Sequence, residues 1–222
     1  MSRLLYDLAA ADKRVRFSPY CWRTKLALAH KNLAYSTIPW HFTDKDKIAF
    51  SGQGKVPVLM DGEKVITDSQ VIAEYLEATY PNEASLFGEP PARQLTNFIK
   101  AWTETVLHPA IAPVVLPDIY LLLTPADQVY YRQTREGFYK RSLEDFAMHR
   151  AEALGPLSAA LKPLKTTLEK QPFIAGLAPN YADHIVFGAL QWAITVSSTP
   201  LLEPGGVLER WMSAVLETYG LA

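Results

Sequence analysis

The stretch Lys55-Val56-Pro57-Val58-Leu59-Met60-Asp61-Gly62-Glu63-Lys64-Val65-Ile66-Thr67-Asp68-Ser69 decides how the first third of the chain is read. Two apolar runs flank Asp61-Gly62, a pair suited to the tight turn of a hairpin, so the pattern predicts two antiparallel neighbouring strands. Asp68-Ser69 then opens a helix, with Val71, Ile72, Tyr75, Leu76 and Thr79 on one face. Moving towards the N-terminus, Leu4 to Leu8 is a short apolar run that feeds a polar loop containing Asp12, Lys13 and Arg14. Ser18 with Pro19 at the first helical position starts a helix, and Trp22, Leu26, Ala29 and Leu33 recur along it. Ala34 to Trp40 reads as a strand, and Lys45 to Phe50 as a short helix capped by Thr43. The order is therefore β-α-β-α-β-β-α.

Moving the other way, residues 80–94 (YPNEASLFGEPPARQ) have the composition of a linker, and everything beyond reads as helix. Val106 to Leu123 is the most apolar region. His108, Pro109, Pro113, Pro117 and Asp118 interrupt it, which predicts a kinked, buried helix rather than a membrane span. Thr124, Pro125 and Asp127 open one long amphipathic stretch to about Ala153, and a further helix is expected from Pro156 to Glu169. Asn180 and Asp183 form a helix-start signature ahead of Ile185, Val186, Ala189 and Leu190. So apolar a helix belongs at the centre of its bundle. A last helix runs from Gly206 to Tyr219.

The 222 residues contain 22 Lys and Arg against 23 Asp and Glu, a net charge of −1. That balance argues against a nucleic-acid partner, which demands a surplus of positive field. Hydrophobic residues at 49% and charged residues at 20% predict a soluble globular protein. The single cysteine, Cys21, excludes an internal disulfide and a cysteine-rich zinc site, and fits a reducing compartment. The five histidines, at 30, 41, 108, 149 and 184, lack paired ligand spacing, so no metal is expected and all five are read as structural or exposed. The opening MSRLLYDLAAADKR has too short an apolar run for a signal peptide, which makes a cytoplasmic location the expectation.

Ser18-Pro19-Tyr20-Cys21 stands where a loop meets a helix N-terminus, a place that favours negative charge. Locally, Ser18 reads first as a plain helix cap, with a hydroxyl that stabilises an anion as the alternative. The order of S-P-Y-C at the first helix, V-P before the third strand and D-S at the last helix of the first unit resembles the glutathione transferase family, over nearly the whole chain. FSPYCWRTKLAL (17–28) and DSQVIAEYLEATYP (68–81) are most similar to the bacterial β-etherase-like and fungal etherase-related members.

The resemblance implies an α/β plus all-α architecture. Residues 1–81 would form a thioredoxin-like β-α-β-α-β-β-α domain that binds glutathione, 82–92 a linker, and 93–222 a helical-bundle substrate domain. It further implies that Ser18 contacts the glutathione sulfur and that Pro57 follows a cis bond, turning the Val56 backbone towards the cysteinyl unit. Ser69 would hold the γ-glutamyl carboxylate, Asp68 the ammonium group, and Lys45 and His41 the glycyl carboxylate. The implied reaction is attack of glutathione thiolate on a hydrophobic, aromatic electrophile, aryl ethers included, by a cytoplasmic homodimer serving detoxification. A free thiol has a pKa of ~8.5, and lowering it by ~2 units needs about 2.7 kcal/mol, within reach of a Ser18 hydrogen bond and a helix terminus.

Two other readings stay open. One is a non-catalytic binding protein for apolar compounds. The other is a thiol transferase dependent on Cys21, which demands an exposed thiol of low pKa, whereas the bland reading of Cys21 is a small buried hydrophobe. Asp118, Tyr120, Tyr130, Tyr131, Phe138 and Tyr139 are candidates to line an apolar cleft facing the sulfur.

Overall fold

A computed structural model describes residues 3–221. The first unit is built from β1 (Arg3–Leu8), α1 (Pro19–His30), β2 (Ser36–Trp40), a 3₁₀ helix (Lys45–Ser51), β3 (Val58–Asp61), β4 (Lys64–Thr67) and α2 (Ser69–Thr79). The sheet order is β2-β1-β3-β4, with β1 and β2 parallel and β3 antiparallel to both β1 and β4. This is the thioredoxin-like arrangement the sequence predicts. The Asp61-Gly62 turn pairs Asp61 with Lys64 and Val58 with Thr67, with Gly62 at a φ of 61° that an L side chain rarely adopts. Leu5, Leu59 and Ile66 from the sheet pack against Leu28, Ile72 and Leu76 from α1 and α2. Val71, expected on the same face as Ile72, is exposed, and Ala73 takes its place in the core.

The second unit contains α3 (Pro90–Trp102), α4 (His108–Leu122), α5 (Pro125–Tyr139), α6 (Leu143–Met148), α7 (Arg150–Leu168), α8 (Tyr181–Val196) and α9 (Val207–Thr218). A π-helical turn, Thr103–Leu107, joins α3 to α4 without a break. The run Pro90–Leu122 is long and apolar enough by length and composition to cross a membrane, and half of its most apolar window is buried within the protein. The single amphipathic helix expected from Thr124 to Ala153 is instead split. Lys140 adopts a left-handed conformation (φ 53°), and Ser142 starts α6 by accepting a hydrogen bond from the Asp145 N–H at 3.1 Å. Pro156, read as a helix start, lies inside α7, on an exposed stretch where water can serve the carbonyl that it leaves unpaired. The 3₁₀ helix starts from Asp44 rather than Thr43, because the Thr43 hydroxyl donates to Asp127 of α5.

Helix α8 locks the two units together. Its Asn180 and Asp183 form the expected capping box, and Asp183, wholly buried, accepts hydrogen bonds from the N–H groups of Ile174, Ala175 and Asn180 and from Trp211 Nε1. Burial raises the Asp183 carboxyl pKa, and these four bonds oppose that rise. Tyr181 donates to the Ser69 carbonyl at 2.7 Å, tying α8 to the start of α2. Gly188 faces the start of α1 so closely that a Cβ there would lie 2.4 Å from the Pro19 carbonyl oxygen. Only a residue without a side chain lets the two helices meet at this point.

Candidate active site

Between the sheet's helix-bearing end and the helical unit lies a cleft of about 600 Å³. Its first wall comes from the sheet unit and includes Ser18, Tyr20, Trp40, Lys45, Lys55 and Val56. The opposing wall comes from α4, α5 and α8 and includes His108, Tyr130, Tyr131, Arg135, Phe138 and Trp192. Asp127 in the first turn of α5 holds the walls in register: it accepts from the Phe42 N–H (3.1 Å), the Thr43 N–H (2.9 Å) and the Thr43 hydroxyl (2.8 Å).

Ser18 is the N-cap of α1, as the sequence predicts, and its hydroxyl oxygen accepts from the Cys21 N–H at 3.2 Å. It is buried against protein on most sides and lines the cleft on the remainder. Cap and cleft functions therefore coexist on one oxygen. The Val56–Pro57 peptide is cis, as the family resemblance implies, and Val56 lines the cleft. Lys45 also lines it, with Nζ donating to the Gly54 carbonyl and lying over the rings of Trp40 (4.9 Å) and Tyr130 (5.1 Å).

Four of the expected site residues, Pro57, His41, Asp68 and Ser69, stand off the cleft wall. His41 has one ring nitrogen 3.1 Å from an Asp44 carboxylate oxygen and the other 3.2 Å from the Ala10 carbonyl. Asp68 caps α2 with a φ of 69°, and its Oδ1 accepts from the N–H groups of Gln70 (2.8 Å) and Val71 (3.2 Å). Ser69, buried beside it, is the first residue of α2.

Cys21 is completely buried, with Sγ 3.9 Å from the Tyr6 carbonyl. Burial first, and the Asp7 charge second, push its thiol up. The thiol-transferase reading needs an exposed thiol of low pKa and fails on both conditions. Of the aromatic string, Tyr130, Tyr131, Phe138 and Tyr139 reach the cleft. Asp118 and Tyr120 do not: Asp118 is buried against Arg150 and Ser198, and the Arg132 guanidinium lies over Tyr120.

Sequence reasoning missed Glu104, His108, Arg135 and Trp192. Glu104 projects from the π-helical turn and is paired with Arg23 (2.8 Å) and Lys100 (2.7 Å). Burial raises its carboxyl pKa, but the bonds from Lys100 and Arg23 outweigh that and hold it below the ordinary value. His108 stands edge-on to Tyr20 and Trp192, and its Nε2 is buried with no hydrogen-bond partner among the described residues. Burial, reinforced by the Arg23 charge, pushes it down to about 4, so the imidazole is neutral at physiological pH. The prolines between Val106 and Leu123 predict a kinked, buried helix there, but nothing in that pattern gives the side-chain directions. Among the described residues, no group of His, Cys, Asp and Glu could hold a metal ion.

Comparison with known proteins identifies this architecture. A family model described as the N-terminal domain of glutathione S-transferase matches residues 14–84, and one described as the C-terminal domain of glutathione S-transferase matches residues 95–217. A probable glutathione S-transferase of Oryza sativa subsp. japonica is 22% identical over 183 residues, 79% of this chain and 68% of the relative. A crystal structure of a glutathione transferase from Phanerochaete chrysosporium superposes with a TM-score of 0.87 at 24% identity, covering 99% of this chain and 97% of the other. A glutathione S-transferase of Ceriporiopsis subvermispora, solved in complex with glutathione, gives 0.82 at 24% identity, with coverages of 98% and 96%.

Proposed function

The chain belongs to the glutathione S-transferase family, a family of enzymes, and from that premise we propose that it joins glutathione to a hydrophobic aromatic electrophile in this cleft, with Ser18 stabilising the thiolate. The observation that carries the reading is the Ser18 hydroxyl, which caps α1 and opens onto a cleft walled on its far side by aromatic rings. The thiol proton leaves to solvent, and the sulfur lone pair forms the new bond to carbon. The leaving group departs with the electron pair of the bond that breaks. No side-chain base is needed, because the helix N-terminus and the Ser18 hydrogen bond supply the stabilisation of negative charge.

Glutathione would lie along the first wall. Val56 offers its backbone next to Pro57, and Lys45 offers a cation for the glycyl carboxylate. His41 is the weaker candidate for that carboxylate, with both nitrogens facing oxygens of Asp44 and Ala10. Ser69 and Asp68, at the start of α2, would take the γ-glutamyl carboxylate and ammonium. The domain division at 1–81, 82–92 and 93–222 fits this split of roles, with α3 beginning at Pro90 inside the linker. The etherase-related likeness extends the reading to aryl-ether cleavage and to detoxification in the cytoplasm.

A homodimer belongs to the same proposal, supported by exposed apolar side chains on the edge strand β4 (Val65), on α2 (Val71) and on α3 (Leu95 and Phe98). Sedimentation at micromolar concentration should give twice the 24.8 kDa chain mass. The transferase reading is tested by the rate at which glutathione adds to an activated aryl halide. Binding without turnover of any electrophile would favour the binding-protein reading instead.

A further inference from the structure

We propose that the cleft selects aromatic compounds bearing an anionic group, a carboxylate or a sulfonate, and that Arg135 on α5 pairs with that group. The inference rests on the transferase reading of the cleft and adds to it the charge of the electrophile.

Helix α5 carries Arg132, Arg135 and Glu136 within little more than one turn. Arg132 takes the nearby carboxylates, Glu136 at 2.8 Å and Glu144 at 2.8 Å. Arg135 has no carboxylate within ion-pairing distance among the described residues, and its guanidinium donates to the Thr134 hydroxyl at 3.3 Å. It lies over the rings of Tyr131 (4.9 Å) and Phe42 (5.6 Å). A guanidinium stacked on aromatic faces retains N–H groups at its edge, in the fork geometry that matches a carboxylate or sulfonate. Beside it, the Tyr131 hydroxyl is buried with no hydrogen-bond partner among the described residues, a second unused donor on the same wall.

The other charges of the cleft leave Arg135 free for this role. Glu104 is the one carboxylate among the lining residues, and Arg23 and Lys100 already pair with it. Lys45, engaged by the Gly54 carbonyl, and Lys55 stand on the opposite wall, where the tripeptide is assigned. The electrophile half is thus an aromatic surface with an unspent positive charge. An aromatic anion satisfies both features, stacking on the rings of α5 and placing its charge against the guanidinium. A neutral aromatic compound would cover the same rings and leave the cation partly desolvated without a partner.

The test uses the full chain and the variants Arg135→Gln and Arg135→Lys with two probes, a chlorodinitrobenzoate and its methyl ester, each rate divided by the uncatalysed reaction with glutathione. A charged hydrogen bond predicts a preference for the anion that falls about tenfold or more in Arg135→Gln, with partial retention in Arg135→Lys and a smaller loss of turnover with the ester. Added salt should shrink the parent's preference. An unchanged ratio overturns the proposal, and so does an equal loss with both probes or a rise confined to the KM for glutathione, which would assign Arg135 to the fold or to the tripeptide. Absence of turnover in the parent would defeat the transferase reading and leave this one to equilibrium binding. Quenching of tryptophan fluorescence by a biphenyl carboxylate and by its carboxamide then decides: a carboxylate preference that disappears in Arg135→Gln upholds the proposal, and equal affinities overturn it.

Discussion

Ser18 at the start of α1 and Asp183 in the first turn of α8 both accept backbone hydrogen bonds that a helix N-terminus leaves unpaired. Their surroundings then divide them. Ser18 takes one such bond, from Cys21, and borders a cleft. Asp183 takes four donors, is sealed from solvent, and has the Trp211 indole across its open side. A cap that keeps accepting capacity and access to a cavity can serve a ligand, whereas a cap whose oxygens are all claimed serves the fold. The starts of α2 and α5 lie between these limits. Asp68 uses one oxygen on its own helix, and Asp127 reaches across to the loop at Phe42 and Thr43.

The sharpest way to break this comparison is Asp183→Ala. Removing the carboxylate strands several donors where water has no access, each costing ~1–3 kcal/mol. We expect a loss of about 3–5 kcal/mol in a urea melt, with activity per folded molecule unchanged. A melt that overlays the parent's would show that the buried cap is dispensable. Ser18→Ala should do the reverse. Stability should fall by about 1 kcal/mol, the usual effect of a lost cap, while turnover of an aryl halide drops roughly 10–1000-fold, or about 1.4–4 kcal/mol of barrier. Steady-state rates unaffected by this substitution would reduce Ser18 to a plain cap.

The sequence-to-structure record follows the same division. Capping residues act within three or four positions of themselves, so Ser18, Asp68, Thr124 and Asn180 marked their helices from sequence alone. The Asp61-Gly62 hairpin and the order β-α-β-α-β-β-α were legible for the same reason. Side chains whose partners are distant in sequence were not. Thr43 was read as a cap although its hydroxyl serves Asp127, 84 positions away. His108 and Trp192 meet at the cleft only because α4 packs on α8. Pro156 carried a local start signal that the exposed face of α7 overrode. The first wall of the cleft, made of turns and helix starts, was therefore foreseen better than the second, made of helix faces.

His108 extends the comparison to a helix junction where the chain stays helical, the π turn running straight into α4. Its position shows itself through pH rather than through capping. Its pKa is ordinarily 6.5 and is pushed down to about 4, first by burial and then by Arg23, so the unfolded chain binds more protons than the folded one across that interval. Stability should be complete above the unfolded value and should fall as pH drops towards the folded one. Between about pH 7.5 and about pH 5 the parent should lose about 2 kcal/mol more than His108→Asn. His184, buried and also shifted well down, contributes in the same direction and is common to both proteins. Parallel pH profiles for parent and variant would mean that His108 is solvated in solution.

The smallest effect is expected at Asp68, where cap and ligand roles would share one carboxylate. Oδ1 is held by Gln70 and Val71, and Oδ2 accepts no hydrogen bond among the described residues, so half of the group is available to an ammonium. Asp68→Asn keeps a capping oxygen, and asparagine tolerates the left-handed φ of 69° better than most residues. The fold should therefore be nearly unaffected. What the variant removes is the charge, at a site exposed enough for water and salt to screen it. Glutathione affinity should weaken about two- to fivefold by calorimetric titration, the scale of one charge at a helix terminus. Ser69→Ala should add a loss of similar size at the carboxylate of the same γ-glutamyl unit. A glutathione analogue without the α-amino group isolates the charge: it should bind parent and Asp68→Asn equally, and native affinity for glutathione in both variants would leave the start of α2 as a cap alone.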